Sequence, residues 1–152
     1  MSKVTVTGSS LVEIAENITE DIQHEMESRS YRAANELRNA ALLVLRGQRS
    51  GRRYRVPGTK RHYTASAPGE PPAVRTGTFR NSWQPETYVA FGSYISRISS
   101  DVRTDNGRYT LGQILENGTP GGKIAPRPHH DRILEKAEPQ IVKIYDQPYF
   151  NE

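Results

Sequence analysis

The sequence predicts an α+β domain, with a long N-terminal helical region and a C-terminal helix packed on a small antiparallel β-sheet, and a long basic loop between them. Three observations predict it. Apolar residues recur at helical spacing from Leu11 to Val44 and again from Ile133 to Ile144. Residues 88–99 instead alternate as paired strands around a glycine, and residues 48–76 hold no apolar run but many Gly, Pro and Arg. The 152 residues fit one domain spanning 1–152, with 48–76 an extended Gly/Pro-rich loop inside it.

Lys3-Val4-Thr5-Val6-Thr7 alternates polar and β-branched residues and reads as a short strand ended by Gly8. Ser10 and Glu13 then form a capping box for a helix running to about Arg46. Leu11, Ile14, Ile18, Ile22 and Met26 share one face, which Ala33, Leu37, Ala41 and Val44 continue; Gly47 is the expected C′ residue. A straight helix of this length measures ~55 Å, whereas a compact domain of this size is ~40 Å across. Either it breaks into a hairpin at Ser28-Arg29-Ser30 or its ends pack on other subunits; the second is favoured.

After the loop, Thr78 to Trp83 suits one or two helical turns. Tyr88–Phe91 and Tyr94–Ser99 read as strands joined at Gly92-Ser93, with Val102 extending the second and Asp105-Asn106-Gly107 a turn. Tyr109–Glu116 is a short amphipathic helix closed by Asn117-Gly118, and Thr119–Pro128 is a Gly/Pro loop. The last helix spans His129 to Tyr145. Ile133, Leu134, Ala137, Ile141 and Ile144 form its buried stripe, and Pro139 is the place for a kink.

Composition argues that this fold is not self-sufficient. Ala, Val, Ile, Leu, Met, Phe, Trp and Gly supply 56 of the 152 residues. That is well short of the ~45–50% usual by that count. A chain this poor in apolar surface is partly disordered alone or borrows burial from neighbouring subunits. Cysteine is absent, so disulfides and thiolate metal sites are excluded. No stretch approaches 18 apolar residues and the N-terminus lacks a signal-peptide core, so no membrane contact is expected and the chain should be made and used in the cytoplasm.

Charge is unevenly placed. Residues 1–45 hold four basic and seven acidic groups, residues 46–64 seven basic groups and no acid, and residues 65–152 ten of each. Within the basic stretch Arg49, Arg52, Arg53, Arg55, Lys60 and Arg61, with Tyr54 and Tyr63 interleaved, suit contact with phosphates and bases. The more ordinary reading is a solvated loop pairing with acidic surfaces of neighbouring subunits, the first helix being an obvious partner. His129-His130-Asp131 raises the question of a metal, but adjacent helical residues point to different faces and only Asp131 and Glu135 share one, so no metal site is expected. Asn117–Gly122 lacks the preceding strand and following Lys-Ser/Thr of a phosphate loop. Ser82, Ser99 and Ser100 belong to no nucleophile motif, and no carboxylate pair sits in apolar context. No catalytic residue or cofactor is expected, and the chain is not expected to be an enzyme.

Three segments in order resemble the small neck and tail-completion proteins of long-tailed bacteriophages, minor tail components that include lambda tail protein Z-like chains. They are Ala67-Pro68-Gly69-Glu70-Pro71-Pro72 with Thr76-Gly77 and Phe79-Arg80-Asn81-Ser82-Trp83; then Tyr109 with Ile114-Leu115-Glu116-Asn117-Gly118-Thr119; then Pro126-Arg127-Pro128 leading into the last helix. Each motif alone is weak, while their order and spacing across Ser9 to Ala137 are more specific. The resemblance implies a structural virion subunit at the head–tail joint. Such a subunit assembles into a homo-oligomeric ring, a hexamer or a multiple, coaxial with the DNA channel. Its partners are then other copies of itself, the neighbouring connector and tail proteins, and transiently the genomic DNA. In that family frame Pro68, Pro71 and Pro72 hold the loop extended, and Gly77 and Gly118 allow tight turns. One departure stands out: the family commonly has an aromatic after the Pro-x-Pro, where this chain has His129-His130. A nucleic-acid-binding module using the arginine-rich loop is the alternative reading.

Overall fold

The computed structural model describes residues 8–150, with side chains from residue 11 onward; the strand expected at Lys3–Thr7 lies outside the described residues. Helix α1, Gly8–Arg46, runs 39 residues without interruption. It is already helical at Gly8, so Ser10 stands within its first turn instead of capping it, and the Ser10 side chain lies outside the described residues. At ~1.5 Å per residue α1 is ~58 Å long, and no break occurs at Ser28-Arg29-Ser30.

That triplet is a docking point. Arg29 and Ser30 are fully buried. Ser96 Oγ donates to the Ser30 carbonyl at 2.8 Å and lies 3.0 Å from its hydroxyl. The Arg29 guanidinium gathers the carbonyls of Tyr145, Gln147 and Pro148 at 3.2, 2.6 and 2.8 Å, pairs with Glu25 at 2.8 Å and stacks on Tyr149. A charge this deep is tolerated because nearly all of its donors are used. The C-terminal end of α1 also differs from expectation. Gly47 is not left-handed, and Arg49 Nη2 satisfies the Val44 carbonyl at 2.8 Å in its place.

The basic segment is not a structureless loop. Strands β1 (Arg53–Arg55) and β2 (His62–Thr64) pair antiparallel with Tyr54 opposite Tyr63, and backbone bonds extend the ladder from Gly51–Ala65 to Val56–Arg61. Helix α2 (Thr78–Asn81) follows, then β3 (Gln84–Ala90) and β4 (Ser93–Ser99), paired from Gln84↔Ser99 to Ala90↔Ser93. The turn between them is Phe91-Gly92, one residue earlier than expected, with φ of 52° and 72°. Val102 lies outside the strand, and its carbonyl accepts the Leu111 amide at 2.7 Å. Helices α3 (Leu111–Asn117) and α4 (His130–Tyr145) complete the chain, and Pro139 does not interrupt α4. The fold is α+β with two separate two-stranded sheets.

The core is small and built on alanine. Ala40, Ala41 and Leu45 of α1 meet Ile133 and Ala137 of α4 and Trp83, with Leu37, Phe79, Ile98 and Ile141 around them. Small side chains let the helices approach closely, but they limit the apolar area removed from water. Leu134 is exposed, contrary to its place in the expected stripe, because only Ile133 and Ala137 of α4 face α1 squarely. The apolar stripe of α1 likewise splits: Leu11, Ile14 and Ile18 are 63%, 54% and 44% exposed, while its second half is covered.

Candidate functional site

The three segments that carry the family resemblance, distant in sequence, meet at one junction. The Gly69 amide donates to the Pro126 carbonyl at 3.3 Å, and Arg132 of α4 donates to the Gly69 carbonyl at 3.0 Å. The Arg127 amide donates to Leu115 of α3 at 2.6 Å. Phe79 packs over Gly112 of α3, its ring 3.5 Å from where a Cβ would stand. Gly118 ends α3 at φ 77°, where a Cβ would fall 2.7 Å from the Ile124 carbonyl, so the turn requires glycine. Gly77, at φ 89°, starts α2, with Thr76 exposed beside it. Pro71 and Pro72 are buried, Pro128 is half-buried, and Pro68, Gly69 and Pro126 are exposed.

Glu116 and His129 are the polar centre of this junction. Glu116 Oε2 accepts the amides of His129 and His130 at 2.9 and 3.3 Å, serving the first N–H groups of α4 from another helix. His129 is fully buried, with Nδ1 2.9 Å from the Arg127 carbonyl and 2.8 Å from Glu116 Oε2. Burial pulls its pKa below the usual histidine value, against the opposing pull of the Arg127 carbonyl and Glu116. The neutral ring with its proton on Nδ1 fits these acceptors. Its faces and edges meet Phe79 and Trp83, with centroids at 5.7 and 6.0 Å. His129 therefore packs as an aromatic ring between Phe79 and Trp83.

Glu116, His129 and His130 offer donor atoms within 4.8 Å of one another, a cluster that helical spacing cannot reveal because Glu116 stands on α3. Two of the three are already engaged, since Nδ1 of His129 lies between two acceptors and Oε2 of Glu116 accepts two amides. The arrangement caps a helix and orients the aromatic cluster, and we assign it that role.

A second clasp holds the base of the basic hairpin. Arg49, expected at the surface, turns inward and donates to the carbonyls of Pro71 at 2.7 Å, Pro72 at 3.1 Å, Val44 at 2.8 Å and Gln48 at 2.9 Å. It is a structural tie between the end of α1 and the buried prolines and leaves the contact set. Glu70 accepts the Ser50 hydroxyl at 2.5 Å and the amides of Ser50 and Ala67 at 3.0 and 2.8 Å. The Ser50 hydroxyl first, then those amides, hold its carboxyl down to about 2. The Ala67–Pro72 motif thus positions the hairpin.

The remaining basic residues, Arg52, Arg53, Arg55, Lys60 and Arg61, are exposed on the β1–β2 hairpin. Strand alternation places Arg52 and Arg61 on the face of Tyr54 and Tyr63, and Arg53 and Arg55 on the other. Arg55 Nε is tied to the Thr59 carbonyl at 2.6 Å, which stiffens the tip. Among the described residues no helix is long and apolar enough to cross a membrane. No family model matches the chain, and neither the curated proteins nor the solved structures give a match.

Proposed function

We propose that this chain is a structural virion protein of a tailed bacteriophage, forming a ring at the head–tail joint around the DNA channel. The observation that carries this reading is the junction: segments 67–83, 109–119 and 126–128, recognised only by order in the sequence, close on one another through Gly69, Pro126, Leu115 and Glu116. Residues that serve one structural unit are what a shared fold demands of scattered motifs. The small alanine core, the bare first half of α1 and the exposed basic hairpin support it further, because each leaves surface for neighbouring subunits to bury. The reading involves no catalytic residue, cofactor or metal. Its partners are other copies of the chain and the adjoining connector and tail proteins.

A second reading, a nucleic-acid-binding module, is favoured by one feature, the five exposed basic side chains around the Tyr54–Tyr63 pair. Within a ring we rank contact with a protein neighbour above DNA contact, since firm phosphate binding would retard a sliding genome. Gold-labelled antibody against the chain, applied to particles of the phage that encodes it, is expected to mark the head–tail joint. Label absent from particles, together with duplex-DNA affinity that falls steeply with salt, would replace the first reading by the second.

A further inference from the structure

We propose that copies of this chain associate head to tail, the Phe91 tip and acidic half of α1 of one copy docking onto the basic hairpin and the adjacent groove of the next. The inference rests on the ring reading only in requiring self-association. It names the two faces that meet.

The first face contains a residue out of place. Phe91 occupies a two-residue hairpin turn at φ 52°, a region that bulky side chains avoid and that Asn or Gly would fill without strain. Its ring is also fully exposed, with Val89 62% exposed beside it. Backbone strain spent on presenting an aromatic ring to water stabilises nothing within one copy, and such strain collects at contact sites. The tip lies beside α1, where the Tyr94 hydroxyl reaches the Gln23 carbonyl. From there the helix runs on to Gly8 with exposed Glu13, Glu16, Glu20 and Asp21 and the exposed Leu11–Ile14–Ile18 stripe, and with no Lys or Arg.

The second face is at the opposite end. A groove of about 530 Å³ opens beside the base of the basic hairpin, lined by Val74, Phe79 and Leu115 and by Arg75, Arg103 and Arg127 with one acid, Asp105. Arg127 Nη1 is buried and has no partner among the described residues. The hairpin alongside adds five exposed positive charges. Leu45, which lines the groove, is 22 residues along α1 from Gln23, so the two faces lie ~33 Å apart along the helix. They differ in charge and shape, one an acidic projection with an aromatic knob, the other a basic rim around an apolar hollow. Contact between unlike faces of identical copies is heterologous, and it closes into a ring when the rotation between copies allows.

The test uses variants each defective in one face. Phe91→Asn removes the knob and relieves the turn, so its thermal midpoint should stay level or rise while association weakens about ten- to a hundred-fold. Val74→Arg blocks the groove. Each variant alone should be monomeric by sedimentation, while an equimolar mixture should give a one-to-one dimer, because one intact knob still meets one intact groove. As a check that does not rely on Val74→Arg folding, the cysteine-free chain allows Ser93→Cys and Thr78→Cys to be mixed as single variants. A disulfide should form between the two kinds and in neither alone. Rings that survive Phe91→Asn, or a mixture that stays monomeric and uncrosslinked, overturn this interface and leave the virion reading standing. Head-to-tail dimers from a chain that particles lack would overturn the virion reading and keep the interface.

Discussion

Replacing Arg49 by Ala separates a structural arginine from its surface neighbours. Arg49 donates to four backbone carbonyls, those of Val44, Gln48, Pro71 and Pro72, between 2.7 and 3.1 Å. Charge-assisted bonds of this kind contribute about 1.5–3 kcal/mol each when taken singly, but bonds to one group do not add. The Gln48 bond is exposed and Val44 sits at a helix end that water can reach, so we count chiefly the Pro71 and Pro72 carbonyls. Loss of their shared donor should cost about 3 kcal/mol. With a urea slope of about 1.5 kcal/mol per M, the unfolding midpoint should fall by about 2 M. Arg53→Ala, an exposed change on the same hairpin, should stay within about 0.5 kcal/mol of the parent. Urea unfolding followed by Trp83 fluorescence measures both. Equal midpoints for the two variants would refute the inward assignment of Arg49.

Arg29→Met leaves the Tyr145, Gln147 and Pro148 carbonyls without their buried donor, so a loss of about 3–5 kcal/mol is expected. Hydrogen exchange should show residues 146–150 freed from α1, and unchanged protection there would contradict the tie. Gly118→Ala places a Cβ 2.7 Å from the Ile124 carbonyl at a left-handed φ, and should cost about 2 kcal/mol or more in thermal unfolding, whereas Gly121→Ala, in open space, should cost only its φ strain of about 1 kcal/mol. For Glu70 the folded pKa is depressed to about 2. Its contribution is therefore complete above its unfolded value and is lost as pH falls from about 4.5 toward 2. Glu70→Gln should flatten that part of the stability profile, read as the urea midpoint against pH, and an unchanged profile would remove Glu70 as the clasp.

Local pattern was readable where neighbours in sequence are neighbours in space. The 3.6 spacing of Leu37, Ala41 and Val44 gave α1 its buried face, and the alternation at Tyr94–Ser99 gave β4. The same spacing could not tell that Leu11, Ile14 and Ile18 go uncovered, because periodicity marks a face and not what lies opposite. Residues 53–64 looked structureless since β1 and β2 are three residues each and held by backbone bonds, which need no apolar pattern. Arg49 and Arg29 look like any surface arginine until the distant carbonyls they serve, such as Pro71 at 22 positions and Pro148 at 119, are in view. The Glu116–His129 pair was invisible for the same reason, as one member lies on α3 and the other caps α4. Only the order of the Pro/Gly motifs hinted that these segments converge.

One copy leaves the first half of α1, the Phe91 tip and the basic hairpin exposed, and other copies should cover them. Native mass spectrometry of the purified chain, paired with negative-stain images, counts the copies directly. Closed rings of six subunits or a multiple are expected, dispersing as salt rises because opposite charges line the joint. A single species of 17.1 kDa at every concentration and salt would contradict it.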